Sequence, residues 1–416
     1  MKIVINAAST KMGGAVTYIT NVLRCLCSVE NDLQFLVFLP KETAAGLPGL
    51  GPNIRILSTE IGHANALRRM WWDQFTLRRF LRKEGVSVLF SAGNFAMFRC
   101  PVRQLLLIRN ALYFSEIQLR LFLPRHSLRS RLAFRLRRWL MCRSARWANI
   151  VMTPTQAMLD ELRHFVAVAP GKALVNPYGG FPAALVFPEG RDEIPAARRP
   201  SDSAVRLVYV SLYSEHKNLS TLLKAMPLLN GDGGRRFRLL TTVDPGWEGA
   251  TWTVTHKEEL TLARQPDVAP WVRFVPPPSN GGVRQLYGEG DIFVFPSVCE
   301  SFGHPMVEAM AHGLPIVAAD TPVNREICGK AALYFRPLDP EDFAEKVALL
   351  GRNQALREKL GAVGRGRAAT RFRWEDHVER LLRAFGLKAG AAVEQHLAAS
   401  CAKDGGCLSV GAWRQG

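Results

Sequence analysis

Three charged residues in the second half of this chain have the types and spacing to handle a phosphorylated sugar: Lys217, Glu300 and Glu308. The glutamates lie in IFVFPSVCESFGHPMVEAMAHGLPIVAAD, residues 292–320. Ile292–Phe295 reads as a buried strand, Ser297–Gly303 as a loop, and Pro305–His312 as a helix. Proline suits the first helical position because no N–H is needed there. Gly313 and Pro315 stop the helix before the strand Ile316–Ala319. A helix that starts here turns backbone N–H groups near Gly303–Val307 toward one point, and such a terminus binds phosphate. Gly303 lets the backbone approach closely. A carboxylate beside bound phosphate repels it unless it accepts hydrogen bonds from sugar hydroxyls, as carboxylates do with ribose. Glu308 has that position, and Glu300, at the strand exit, can serve a second sugar. The pattern points to a nucleotide-diphosphate-sugar site. A plainer reading stands beside it: Glu300 as a loop charge and Glu308 as a residue favoured by the helix dipole.

Lys217 sits in Val208-Tyr-Val-Ser-Leu-Tyr-Ser-Glu-His-Lys-Asn218, after the strand Val205–Val210 and before the helix Leu219–Met226. A lysine there can neutralise charge growing on a departing diphosphate; the plainer alternative is a solvated loop lysine. No Asp-x-Asp pair stands at a strand end, and Asp339-Pro-Glu-Asp342 reads as a helix cap. With Lys217 and helix amides at hand, no metal and no cofactor is required.

The stretch resembles family 4 of the glycosyltransferases, whose hallmark is Glu-x7-Glu, here Glu300-Ser-Phe-Gly-His-Pro-Met-Val-Glu308. Phe295-Pro-Ser before it, Glu308-Ala-Met-Ala-His-Gly-Leu-Pro-Ile-Val-Ala after it and Pro322-Val-Asn-Arg-Glu326 extend the likeness, which continues more weakly over most of residues 1–385. The resemblance implies an α/β GT-B fold, two Rossmann-like doubly wound domains with a cleft between them, and retaining hexosyl transfer from a nucleotide sugar. It implies Lys217, Glu300 and Glu308 as catalytic residues: Glu308 on the ribose hydroxyls and Glu300 on the donor sugar. Asn218, Ser301, Phe302, Gly303, His304, Met306 and Val307 would complete the donor site, with the Phe302–Val307 amides on the diphosphate. The family's arginine, about five residues before the lysine, is absent: Leu212 is nearest that place, leaving Tyr213, His216 or Asn218 as substitutes.

In the first half, Gly13-Gly14 is a glycine pair of the kind that borders donor phosphate in this family, or a plain tight turn. The family's histidine near a strand end is missing too. Ile108-Arg109-Asn110 stands there, so Arg109 and Asn110 are the acceptor-side candidates. Arginine cannot act as a base at neutral pH, but in one proposal for retaining transfer the departing phosphate takes the acceptor's proton. A glycan or lipid-linked acceptor is expected, as in cell-surface polysaccharide or lipopolysaccharide synthesis. Two other classes stay open: a nucleotide-sugar epimerase on the same scaffold, and a non-catalytic basic protein that binds membrane or nucleic acid.

Short apolar runs alternating with amphipathic stretches must position these residues, a pattern of parallel α/β architecture. Strands are expected at Lys2–Ala7, Gln34–Leu39, Ile54–Ser58, Val86–Phe90, Arg103–Ile108, Ile150–Thr153 and Ala173–Asn176, with helices at Ala15–Cys27, Ala66–Lys83 and Leu128–Trp147. A second series follows with strands at Val205–Val210, Phe237–Thr242, Val272–Val275, Ile292–Phe295 and Ile316–Ala319. The expected organisation is a domain over 1–182, a proline-rich linker over 183–203 and a nucleotide-sugar domain over 204–372. A terminal helix over 373–385 would cross back to the first domain, and 386–416 reads as a poorly ordered tail.

The 416 residues are 48% apolar and 22% charged, which supports real cores and argues against global disorder. The net charge of +18 is lopsided: residues 1–182 carry 25 Lys and Arg against 9 Asp and Glu. Residues 120–147 hold nine arginines and no acid, among them Arg129, Arg135, Arg138 and Arg143. Such a field suits an anionic membrane surface or an anionic acceptor. Nucleic acid fits less well, since zinc-finger spacing, an RNA-recognition aromatic motif and a basic zipper are all missing. Leu128, Leu132, Leu136 and Leu140 mark one apolar helix face, read as core ahead of membrane contact. Trp71 and Trp72, beside Arg68 and Arg69, suggest a second contact, with at least one of the two buried. Eight scattered cysteines without a Cys-x-x-Cys pair, and a start, MKIVINAAST, without a long apolar run, lead to the expectation of a cytoplasmic protein, peripheral on the inner face of the membrane.

Overall fold

The structure is a computed structural model that describes residues 1–11, 13–29, 33–47, 49–180, 204–231, 234, 236–246, 253–275 and 280–387. The expected linker, and the expected tail beyond residue 387, lie outside the described residues.

Thirteen strands form two parallel sheets among the described residues. The first holds β1 (Lys2–Asn6), β2 (Gln34–Leu39), β3 (Ile54–Ser58), β4 (Val88–Ser91), β5 (Arg103–Leu107), β6 (Ile150–Thr153) and β7 (Ala173–Val175), in the order β3-β2-β1-β4-β5-β6-β7. The second holds β8 (Val205–Tyr209), β9 (Phe237–Thr241), β10 (Val272–Phe274), β11 (Ile292–Phe295), β12 (Ile316–Ala319) and β13 (Ala332–Phe335), in the order β10-β9-β8-β11-β12-β13. Both sheets run third-second-first-fourth, the doubly wound order, which reverses direction between its first and fourth strands. The helices used below are α1 (Gly14–Cys27), α2 (Leu128–Trp147), α3 (Gln156–Arg163), α4 (Leu219–Asn230), α5 (His256–Ala263), α6 (Asn280–Glu289), α7 (His304–Ala311), α8 (Pro322–Cys328) and α9 (Trp374–Ala384).

Contacts divide the chain into two compact units: residues 1–108, 147–152 and 374 onward, and residues 109–146 with 153–373. In the second unit, Gln118 and His126, in the segment ahead of α2, both hydrogen-bond the buried Glu215.

In the first unit, Ile3, Val4 and Ile5 of β1 are fully buried because β1 is flanked on both sides, by β2 and β4. α9 packs on α1, where the Tyr18 hydroxyl meets His377 Nε2 at 3.1 Å and Trp374 stands edge-on to the Tyr18 ring. The expected helix Ala66–Lys83 is not one α-helix. A π-helical turn interrupts it at Trp72–Leu77. The turn sends Trp72 inward, edge-on to Phe38 at 5.1 Å, and leaves Trp71 60% exposed. It also presents Asp73 to Asn6, at the end of β1, whose amide donates to Oδ1 at 2.9 Å. Burial pushes the Asp73 carboxyl up to about 6.

The second unit holds short elements that the apolar pattern did not disclose, among them α3, α5, α8 and β13. The expected cap at Asp339 is present, its side chain accepting from the Asp342 N–H at 2.9 Å. The apolar face of α2, expected in the core, lies in solvent: Leu128, Leu132 and Leu136 are 78%, 69% and 55% exposed, and Trp139 55%. In that helix Met141, Ser144 and Ala145 are buried, toward its carboxyl end.

Candidate active site

β8 and β11 are neighbours, with Leu207 opposite Ile292, and their carboxyl ends meet where the strand order reverses. Ligands bind at such a point in open α/β sheets. The chain leaving β8 reaches Lys217 through a 3-10 turn, Glu215–Lys217, and the chain leaving β11 reaches Glu300 through the loop 296–303. The Lys217 ammonium donates to Glu300 Oε1, and both side chains are nearly buried. The ammonium also stands 5.9 Å from the centre of the Phe295 ring. Tyr209 anchors the turn from below, its hydroxyl donating to the Lys217 carbonyl at 2.8 Å.

The 296–303 loop is tied from several sides. The Val298 N–H and the Ser297 hydroxyl both donate to the His216 carbonyl, at 3.0 and 3.2 Å. Asn324 of α8 donates its amide to the Ser297 carbonyl, and the Thr155 hydroxyl donates to the Ser301 carbonyl at 2.9 Å. Gly303 has φ 83°, a conformation open to glycine; a Cβ there would lie 2.4 Å from Met306 Cε. Glu326, in the stretch that follows the hallmark, serves architecture: its carboxylate accepts from the N–H groups of Gln156 and Ala157 at 2.8 and 2.7 Å and so caps α3.

α7 starts at His304, but it offers fewer amides than expected. Pro305 has no N–H, and the Met306 N–H is spent on the Gly303 carbonyl at 3.0 Å. The side chains of Phe302, Met306 and Val307 belong to the core. Ser301 and His304 are half-buried, and the His304 ring stacks on Tyr178 at 5.2 Å with 12° between planes. Glu308 is half-buried too, and one of its oxygens is held: the Tyr287 hydroxyl donates to Oε2 at 2.8 Å. Burial pushes the Glu308 carboxyl up to about 7, against the opposing pull of that hydrogen bond.

No substitute for the missing arginine emerges among Tyr213, His216 and Asn218. The Tyr213 hydroxyl donates to the buried Glu259 of α5. Asn218, at φ 53°, donates to the Pro296 carbonyl at 3.1 Å and accepts from the Thr221 and Ser220 hydroxyls, so its side chain braces the fold. Burial and the neighbouring Lys217 charge hold His216 well below the usual imidazole range, which leaves it neutral at pH 7. Leu212 itself is 46% exposed.

The acceptor-side candidates are partly accounted for. Asn110 caps a short turn, accepting from the Leu112 N–H at 3.3 Å. Arg109 lies near enough to Tyr178 for its charge to act on the phenol. Gly13, at φ 61°, caps α1 in the first unit and Gly14 begins it; both are exposed.

Sequence reasoning missed Tyr287, Tyr178, Gln118, His126 and Glu161. An isolated polar residue inside an ordinary helix or loop gives no local signal. Glu215 shows the scale of what was missed. Its carboxylate accepts from the Gln118 amide at 2.7 Å and from the Val254 N–H at 3.2 Å, and it meets His126 Nε2 at 3.0 Å. Glu161 of α3 has one buried oxygen without a hydrogen-bond partner among the described residues, and burial pushes its carboxyl up to about 7.

Two family models match this chain, "Glycosyltransferase Family 4" over residues 12–179 and "Glycosyl transferases group 1" over residues 190–367. The chain belongs to the family 4 glycosyltransferases. Within that family it is 33% identical over 247 residues to D-inositol 3-phosphate glycosyltransferase of Actinosynnema mirum, covering 58% of this chain and 57% of that protein. The chain spans about half the length of the curated relatives it matches. Among solved structures, sucrose-phosphate synthase from Thermosynechococcus elongatus has a TM-score of 0.71 at 17% identity, covering 96% of this chain and 99% of that one. Anabaena HepE in complex with UDP-glucose has a TM-score of 0.68 at 15% identity, covering 93% and 99%. These structural likenesses establish the shared GT-B fold of this family 4 chain. None of these matches supports an epimerase or a non-catalytic binder.

Proposed function

We propose that the chain is a retaining glycosyltransferase that moves a sugar from a nucleotide-diphosphate sugar to a hydroxyl of a glycan or lipid-linked acceptor. The observation that carries this reading is the Lys217–Glu300 pair at the reversal point of the second sheet, with Glu308 in the first turns of the following helix. In the proposed step the bond from sugar C1 to the diphosphate oxygen breaks as an acceptor oxygen bonds C1 on the same face. The acceptor's proton passes to the departing phosphate. Lys217 meets the charge growing on that phosphate, and in a nearly dry site one such group contributes several kcal/mol, on the order of 3. Glu300 takes the donor sugar's hydroxyls and Glu308 the ribose. With an ammonium in place the step needs no metal. Similarity to a protein solved with UDP-glucose supports a nucleotide-sugar donor.

The same reading includes a membrane-surface role. α2 pairs an exposed row of Leu128, Leu132, Leu136 and Trp139 with seven arginines and no acid, the composition of an interfacial helix on anionic lipid. Among the described residues no helix is long and apolar enough to cross a membrane.

The test is a panel of nucleotide sugars screened for thermal stabilisation and for release of nucleoside diphosphate. A true donor stabilises by mass action, by about 2.7 kcal/mol at a hundred times its Kd. A panel that gives neither stabilisation nor diphosphate release overturns the reading.

A further inference from the structure

Glu308 is held by more than its own helix. Tyr287, on α6, is almost fully buried, and its hydroxyl donates to Glu308 Oε2 at 2.8 Å. The ring is fixed in turn, 5.8 Å from Phe293 of β11 and 5.0 Å from His312. His312 closes the group by bonding the Glu308 carbonyl through Nδ1 at 2.8 Å. One carboxylate oxygen is therefore committed to the protein.

We propose that Tyr287 is the positioning residue for the nucleotide: by occupying Oε2 it aims Oε1 of Glu308 at the ribose hydroxyls and makes nucleotide binding depend on the ionisation of that carboxylate. This rests on the donor-site reading above. The physical reason is an asymmetry. A carboxylate with one oxygen fixed can accept from a ribose hydroxyl without first losing rotational freedom. The phenol stays protonated, because burial pushes its own ionisation far above neutral pH, and its shorter contact is the one to Oε2, at 2.8 Å against 3.5 Å to the Pro305 carbonyl. The charged form of Glu308 is disfavoured by burial and favoured by the phenol's hydrogen bond. The other titratable groups facing this cluster are His312, held below its usual range chiefly by burial, and Arg284, whose charge acts on that imidazole.

The sign follows. A carboxyl raised to about 7 is largely protonated below that pH, and a protonated oxygen competes with the ribose for the acceptor position. Affinity that uses the carboxylate is present above pH 7 and lost as pH falls through it. Tyr287→Phe keeps the ring packing and removes the hydroxyl, so the charged form loses its donor and the midpoint moves upward.

The experiment titrates UDP, GDP and their 2′,3′-dideoxy forms against wild type, Tyr287→Phe and Glu308→Gln by calorimetry from pH 5.5 to 8.5. UDP or GDP affinity should fall about tenfold at pH 7 in Tyr287→Phe, the scale of one hydrogen bond to a charged group. Its pH midpoint should rise, and Glu308→Gln should leave only the pH dependence brought by the nucleotide's own terminal phosphate, which titrates at about pH 6. The dideoxy forms, which lack the ribose hydroxyls, should bind wild type and Tyr287→Phe alike. Nucleotide binding to wild type with affinity and pH midpoint unchanged in Tyr287→Phe overturns the role of Tyr287. Equal loss for ribose and dideoxy forms overturns it too, because that marks a general packing defect. If wild type binds neither UDP nor GDP, nor the nucleoside diphosphate of any other sugar in the panel above, the donor-site reading itself fails.

Discussion

The Lys217 ammonium donates to Glu300 Oε1 across 83 residues of sequence, because their two strands, β8 and β11, are neighbours where the sheet order reverses. Breaking one member of a nearly buried ion pair leaves the other charge uncompensated. Lys217→Ala should lower turnover by about 10²–10³, the scale of losing one charge-stabilising donor. Steady-state kinetics on the donor found in the screen check this, and unchanged turnover would remove Lys217 from the mechanism.

Glu326 caps α3 by accepting two main-chain N–H bonds. Glu326→Ala should cost roughly 1–2 kcal/mol of stability, as loss of a helix cap does. Thermal melts with and without donor separate this from function: the midpoint should drop while the increment from donor persists. Loss of the donor increment as well would make Glu326 part of the site.

Glu161 is raised to about 7 by burial alone, so its charged form works against the fold. The folded pKa lies above the unfolded one. The destabilisation is therefore full above pH 7 and is relieved as pH falls from 7 toward the ordinary carboxylate range. Glu161→Gln should raise the melting midpoint at pH 8.5 and change it little near pH 4.5. Equal gains at both pH values would contradict burial as the cause.

Replacing Leu128, Leu132 and Leu136 by serine should weaken binding to vesicles rich in phosphatidylglycerol, as should glutamate at Arg129, Arg135, Arg138 and Arg143. The exposed leucine side chains predict folded leucine variants with unchanged melts. Leucine variants should lose binding in high salt too, since the apolar contribution is not screened, whereas the arginine contribution is. Sedimentation with vesicles measures both. Binding untouched by either set would end the membrane role of α2.

Asp73 and Trp71 show how a non-α turn decides what periodicity cannot. A continuous helix over 66–83 was the natural reading of the apolar spacing. The π turn adds a residue to one turn, so Trp72 packs on Phe38 while Trp71 faces water and Asp73 reaches Asn6. The leucine row of α2 failed as a core prediction for a related reason. Spacing reports that a helix has an apolar face, not whether anything covers it.

The residue order alone dictates the parallel α/β architecture and the strand–loop–helix around Glu300 and Glu308. These follow from runs of buried β-formers and from proline and glycine, whose restrictions act within a few residues. It also made plain that the family's arginine is absent beside Lys217. Tertiary structure alone decided that Lys217 lies against Glu300, that Tyr287 takes one oxygen of Glu308, and that Asn218 and Tyr213 are spent inside the fold. Those pairings join residues brought together by strand order and helix packing, and no local pattern of residue types encodes such a meeting.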